Sequence, residues 1–304
     1  MSQASNTIYG DLVSSQTLNA IKHGLTTRSY AMSRLYNVSK FARKGINTIH
    51  VPHIEVESGQ SVAVGGNFAA PTGDTDGSKD LTLNLKAGNP FLVKRDLNAQ
   101  TAVAILKEKS REAGDNILEI MDIAVLKGLI GDIPGGGKVD FAGHATHADV
   151  ITAADFIGAR KYLNENKAPL NGRFCFISPK HEAEVLAIDN FVSADKIGKT
   201  SNMPIVEGFI GRLYGFDICL LNHLPKVDVA GAVNATAYKN DSYPVIFGQT
   251  LCYMWGKQLT ETMSNVVDLS TADRYVPYTV YGHDELENTF AYMVSDKTTA
   301  NPSS

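Results

Sequence analysis

An α+β fold, built from an N-terminal arm, an extended hairpin, one long helix and a small α/β unit, is predicted by three features of this 304-residue chain. The first is "INTIHVPHIEVE" followed, after a turn-rich segment, by the strictly alternating "DLTLNLK". The second is an apolar periodicity that persists for about thirty residues after Asn98. The third is an alternation of helix-like and strand-like segments from Ile151 to Gly248, ahead of a β-rich, aromatic end.

Each element has its own physical reason. Leu12 to Ile54 contains no Asp or Glu but six cations: Lys22, Arg28, Arg34, Lys40, Arg43 and Lys44. Acids follow at Glu55, Glu57, Asp74, Asp76 and Asp80. Such a basic arm neutralises itself within one subunit, pairs with a neighbouring copy, meets phosphates, or is simply solvated. In residues 46–97 the alternation puts Leu81, Leu83 and Leu85 on one face, and "PTGDTDGSKD" supplies turn chemistry. A two-stranded ribbon is marginal alone in water, so this apolar stripe needs a cover from its own chain or another copy.

The long helix is expected to start at an Asn98 N-cap. Its apolar stripe is Val103, Leu106, Ala113, Ile117, Ile120, Ala124 and Gly128, with Lys107, Glu108, Arg111, Glu112, Asp115, Glu119 and Asp122 filling the surface. A rod of roughly 45 Å follows from 1.5 Å per residue. Gly114 and the small residues on the stripe weaken a coiled-coil reading and favour a helix lying across a sheet. "GDIPGGGKVDFAGHATHAD" breaks the helix as a loop. The α/β unit then reads helix "TAADFIGARKYLNENKA", strand "RFCFISP", helix "KHEAEVLAID", strand "FDICLLN" and strand "YPVIFG".

Composition excludes some classes. With 28 Lys+Arg against 32 Asp+Glu, the net charge of −4 is not that of a polycation that coats nucleic acid. Cys175, Cys219 and Cys252 are three in number and lack a CxxC pair, so buried reduced thiols are expected. No signal peptide is evident at the start, and Ser242–Gly256 is too short and too interrupted to span a membrane.

The motifs that resemble chemistry each fail on spacing or context. "GDIPGGGKV" has Asp132 where a phosphate loop needs glycine, and Val139 where it needs Ser or Thr. His50/His53 and His144/His147, with Asp149 nearby, are three apart in strand or loop contexts, where that spacing points side chains to opposite faces. "HEAEV" at His181 has Val185 where a zinc-protease helix needs a second histidine. Ser58 and Ser178 lack the flanking glycines of a nucleophile elbow. Gly208, Gly211 and Gly215 do not give GxGxxG spacing and precede a strand, whereas a dinucleotide fingerprint follows one. No catalytic residue, metal ligand or cofactor is expected.

What the order of motifs does resemble is the central region of tailed-bacteriophage major capsid proteins. The carrying residues are Leu163–Glu165, Pro169, Gly172–Arg173, Ser178–Pro179, Phe191, Ile210–Arg212, Tyr214–Phe216, Asn222 and Pro225, within a stretch of about 75 residues. The resemblance implies the Hong Kong 97-type fold: arm 1–45, extended loop 46–97, a spine-helix segment of a peripheral domain 98–150, axial domain 151–252, and the peripheral β return and tail 253–304. It makes the glycines of "GFIGRLYGFDICLLNHLP" a turn into a core strand. It also implies a hairpin lying over a neighbouring subunit, whose body would cover Leu81, Leu83 and Leu85.

The expected function is a non-enzymatic shell subunit, forming pentamers and hexamers of an icosahedral virion assembled in the host cytoplasm. Its expected partners are itself, a separate scaffolding protein, a portal protein and double-stranded DNA held without sequence readout, with no membrane. Inter-subunit contact candidates are Arg28, Arg34, Lys40, Arg43, Lys44, Leu81, Leu83 and Leu85. The alternatives are a bacterial nanocompartment shell of the same fold and a small α/β enzyme without a recognisable site.

Overall fold

The computed structural model describes residues 13, 15–20, 30–42, 47–53, 61–62, 64–67, 77–140, 150–188, 211–227, 242–266 and 272–295. In chain order, strands β1 (Tyr36–Asn37), β2 (Thr48–His53), β3 (Gly77–Thr82), β4 (Leu85–Gly88) and β5 (Phe91–Lys94) lead into helix α1 (Arg95–Asp132). Then follow β6 (Lys138–Val139), α2 (Ala153–Glu165), β7 (Arg173–Ile177) and α3 (Pro179–Leu186). The described elements end with β8 (Arg212–Leu213), β9 (Phe216–Leu220), β10 (Val245–Gln249), β11 (Tyr253–Val266), β12 (Ala272–Glu285) and β13 (Ala291–Val294).

A six-stranded sheet, ordered β6-β13-β10-β7-β9-β8, forms the centre of the α/β unit. Its strands alternate between two cores. Phe174 and Phe176 of β7 face the core shared with α1, while Cys175 and Ile177 face the core under α2. The helix–strand order read from the sequence is present. The sheet is nevertheless completed from outside that segment, because β6 and β13 pair in parallel and β13 pairs with β10. Helix α2 starts with a capping box, in which Thr152 and Asp155 satisfy each other's backbone N–H groups.

The second sheet is a long β11–β12 ribbon carrying β1 on one side and β4 and β5 on the other. β5 runs straight into α1, so the helix starts three residues before Asn98, and its cap position, Lys94, makes no side-chain capping bond. Its 38 residues span about 57 Å. The buried face also differs from the expected stripe. Ile117, Leu118, Met121, Val125, Leu126, Leu129 and Ile130 are buried, while Ile120 is 45% exposed. The true period of 3.6 carries the apolar face round the helix, away from steps that sum to seven.

Strands β2 and β3 pair antiparallel from Thr48↔Thr82 to His53↔Gly77. The hairpin ends there, because β4 and β5 belong to the ribbon sheet and not to the hairpin. The crossing between the two requires an unusually close backbone approach. At the paired positions Gly256 and Gly282 the ribbon has no side chains. A Cβ on Gly282 would lie inside the contact radius of the Thr82 carbonyl oxygen, 3.0 Å from the Thr82 carbonyl carbon and 3.2 Å from Leu83 Cα. A Cβ on Gly256 would lie 3.1 Å from Leu81 Cδ2 and 3.2 Å from Val38 Cγ2.

Candidate assembly surfaces

The leucines expected to wait for a neighbour are covered by their own chain. Leu81 and Leu83 are buried in a small core with Val38, Ile49, Val51 and Met254. Leu85, which lies on β4 beyond the hairpin, packs partly buried against the main core. This corrects the expectation that a neighbouring subunit covers the stripe. The arm and the ribbon fill that role, because the glycine crossing lets the hairpin base sink onto β11.

The basic candidates divide similarly. Arg28, Arg43 and Lys44 lie outside the described residues. Arg34 is used within the chain, its Nη1 3.3 Å from Asp217 Oδ2 on β9, so it is not a free contact group. Lys40 is exposed, and its Nζ lies 4.8 Å from the ring centroid of Phe41, which is itself 52% exposed. Periodicity could not single out Phe41, because it sits in a short 3-10 turn, Ser39–Phe41, with no repeating pattern around it. Other large apolar side chains left in water include Val64 in the segment joining β2 and β3, Ile157 on α2 and Leu170 in the loop after α2.

Several of the motifs that carried the resemblance have structural explanations, while Phe191 and Ile210 lie outside the described residues. Arg173 is buried and joins the end of α2 to β7. Its Nε donates to Pro169 O at 3.0 Å, and its Nη2 donates to Asn164 Oδ1 and Ala168 O, both at 2.8 Å. Gly172 precedes it at a positive φ of 73°. At Tyr214–Gly215, φ values of 48° and 92° make a tight two-residue turn from β8 into β9. Glycine is needed at Gly215 for conformation; no phosphate has to be invoked. His181 is buried between Glu184 Oε2 at 2.8 Å and Tyr243 O at 3.1 Å, and the same carboxylate oxygen accepts the Ile151 N–H at 3.0 Å. It anchors α3 to the sheet.

The other chemical lookalikes resolve in the same direction. "GGG" is an ordered 3-10 turn, Gly135–Gly137, leading into β6, where a loop was expected. His50 pairs across the hairpin with Asp80 at 2.5 Å. His144, His147, Asp149 and Ser58 lie outside the described residues. Among the described residues, no group of three or more His, Cys, Asp or Glu side chains is placed to hold a metal ion. The three cysteines are buried and form no disulfide, and burial pushes the Cys175 thiol up and the Cys252 thiol to about 12. Such thiols are poor nucleophiles. Among the described residues no helix is long and apolar enough to cross a membrane.

At the end of α1 the packing couples to pH. Gly128 leaves room for Tyr253 and His283, whose hydroxyl and Nδ1 lie 2.9 Å apart. Burial holds His283 below its ordinary value of 6.5. The folded chain therefore resists a proton that the unfolded chain accepts. Its contribution to stability is present above 6.5 and is lost as pH falls through the depressed folded value. His283→Gln is expected to flatten this part of the acid limb of a urea midpoint-versus-pH curve, and an unchanged limb would contradict the assignment.

No protein-family model and no curated protein matches this sequence. Solved structures do. A capsid structure of cyanophage P-SCSP1u is similar at a TM-score of 0.64 and 16% identity, covering 88% of this chain and 87% of that one. The capsid of an empty gene transfer agent (GTA) particle is similar at 0.62 and 12%, covering 90% and 91%. A virus-like particle from Pyrococcus furiosus is similar at 0.58 and 13%, covering 94% and 99%. The class is that of phage-capsid folds, with arm, hairpin, spine helix, central sheet and β ribbon in one order. The chain has the phage major capsid protein fold of the Hong Kong 97 type.

Proposed function

We propose that this chain is the major capsid protein of a tailed bacteriophage. It self-assembles as hexamers and pentamers into an icosahedral shell around double-stranded DNA, and its place is the virion, after assembly in the host cytoplasm. The observation that supports this reading is the likeness to particle subunits over about nine-tenths of both chains. In the proposal, residues 151–252 form the axial domain, and α1 with the ribbon forms the peripheral one. A shell closed by heterologous contacts needs two complementary surfaces per subunit, and exposed Lys40, Phe41, Val64, Ile157 and Leu170 are available for them. Assembly uses a separate scaffolding protein, DNA enters through a portal protein, and the DNA is held by diffuse charge without sequence readout.

A second reading, a shell that is not a virion, is favoured by the nearly end-to-end match to the Pyrococcus particle. Nuclease treatment of particles from infected or lysogenic cells separates the two. Protected double-stranded DNA of uniform length supports the virion, and particles filled with protein and free of DNA would overturn it. Within the arm, reversing Arg43 and Lys44 to Glu is expected to abolish assembly while leaving the circular dichroism of the subunit unchanged. Normal shells from that variant would remove the basic arm from the contact set.

A further inference from the structure

A carboxylate in the middle of α1 holds three partners at once. By its charge Asp122 belongs to the surface of the helix pattern, yet it is fully buried. Its Oδ2 accepts the Ala31 N–H at 3.0 Å, and its Oδ1 accepts the Met32 N–H at 2.8 Å. His223, in the loop following β9, brings Nε2 to 2.5 Å from Oδ2. The His223 ring also packs tilted against Tyr30, with centroids 5.4 Å apart. One carboxylate of the spine thus meets the arm and the central sheet's loop at the same point.

We propose that Asp122 is a latch that couples the arm to the central sheet unit, so that residues 30–32 and the loop at 221–224 loosen on the spine together. The coupling is electrostatic. A buried carboxylate stripped of some of its donors is costly, because no water replaces them. If the arm leaves, Asp122 loses two backbone donors and His223 loses its stacking partner Tyr30. If the loop leaves, the same carboxylate loses its third donor, and the remaining two arm bonds surround a partly exposed charge. Either departure weakens what holds the other. Arg34 also ties the arm to the central sheet through Asp217 on β9, at a half-exposed position. Two further ties of the arm are of a different kind: Trp255 Nε1 donates to Met32 O at 3.0 Å, and Val38 N donates to Trp255 O at 2.9 Å, both to the ribbon. They hold the arm to β11 without involving the central sheet.

In a shell subunit, such a latch makes any swivel of the central sheet relative to the spine a change in the arm as well. The test is native-state hydrogen exchange, read by NMR or by mass spectrometry with fragmentation, on the full chain and on Asp122→Asn and His223→Gln. The expected result is faster exchange, by about 10- to 100-fold, at Ala31 and Met32 and at 221–224 in both variants, with the β7 and β10 amides far less affected. Release of only the arm in Asp122→Asn, or of only the loop in His223→Gln, would overturn the coupling. Should Asp122→Asn fold poorly, the His223→Gln result at Ala31 and Met32 decides alone, since His223 makes no hydrogen bond to those two amides: faster exchange there supports the latch, and unchanged exchange overturns it.

Discussion

Gly282→Ala is expected to destabilise the chain by about 3 kcal/mol, a large effect for one added methyl group. The new Cβ would collide with the Thr82 carbonyl and approach Leu83 Cα, which are backbone atoms of the hairpin's exit. No rotamer change relieves a backbone clash, so either the hairpin base lifts from the ribbon or β12 bends. Lifting would also expose Leu81 and Leu83, which are buried only because the crossing is so close. Gly131→Ala is the matched control. Its Cβ meets nothing within 4 Å, and it lies in the last turn of α1, where alanine is up to about 1 kcal/mol better than glycine. Urea denaturation of unassembled subunits reads both. Similar midpoints for the two variants would mean that the crossing is not tight.

Arg173→Met is the second large effect, at about 3 kcal/mol. Methionine fills much of the volume of the arginine stem but leaves Asn164 Oδ1 and the carbonyls of Ala168 and Pro169 without their shared donor. Arg173→Lys is expected to recover only part of the loss, because one ammonium cannot reproduce the planar fork that meets acceptors in two directions. A lysine variant as stable as the parent in the same denaturation assay would contradict the clip.

These two sites show what could be read from the sequence and what could not. Local period carried many of the elements: the helix after β5 and the α/β order follow from spacing along the chain, while the alternation of "DLTLNLK" marks extended chain that is divided between β3 and β4 of two sheets. The motif residues Asn164, Pro169, Gly172 and Arg173 stood out as a pattern, but their purpose is a hydrogen-bonded clip that only the folded loop reveals. What spacing could not give is which elements cross. Asp122 looks like a surface acid because the arm that buries it comes from 90 residues earlier in the chain. Leu81 and Leu83 looked unsatisfied because their cover comes from Val38 and Met254, distant in sequence. Gly256 and Gly282 carried no local signal, since a glycine at a backbone crossing resembles any other glycine in a strand. Arg34 fell to the same cause: its partner Asp217 lies 183 residues further on.

We propose that this chain builds shells. The measurement that tests it most directly is small-angle scattering on the purified full-length chain as it leaves a sizing column, followed by electron cryomicroscopy of the largest species. The account predicts capsomers or closed particles with five- and six-fold vertices. A monomer at every concentration, with the roughly 19 Å radius of gyration of a compact chain of this length, would contradict it.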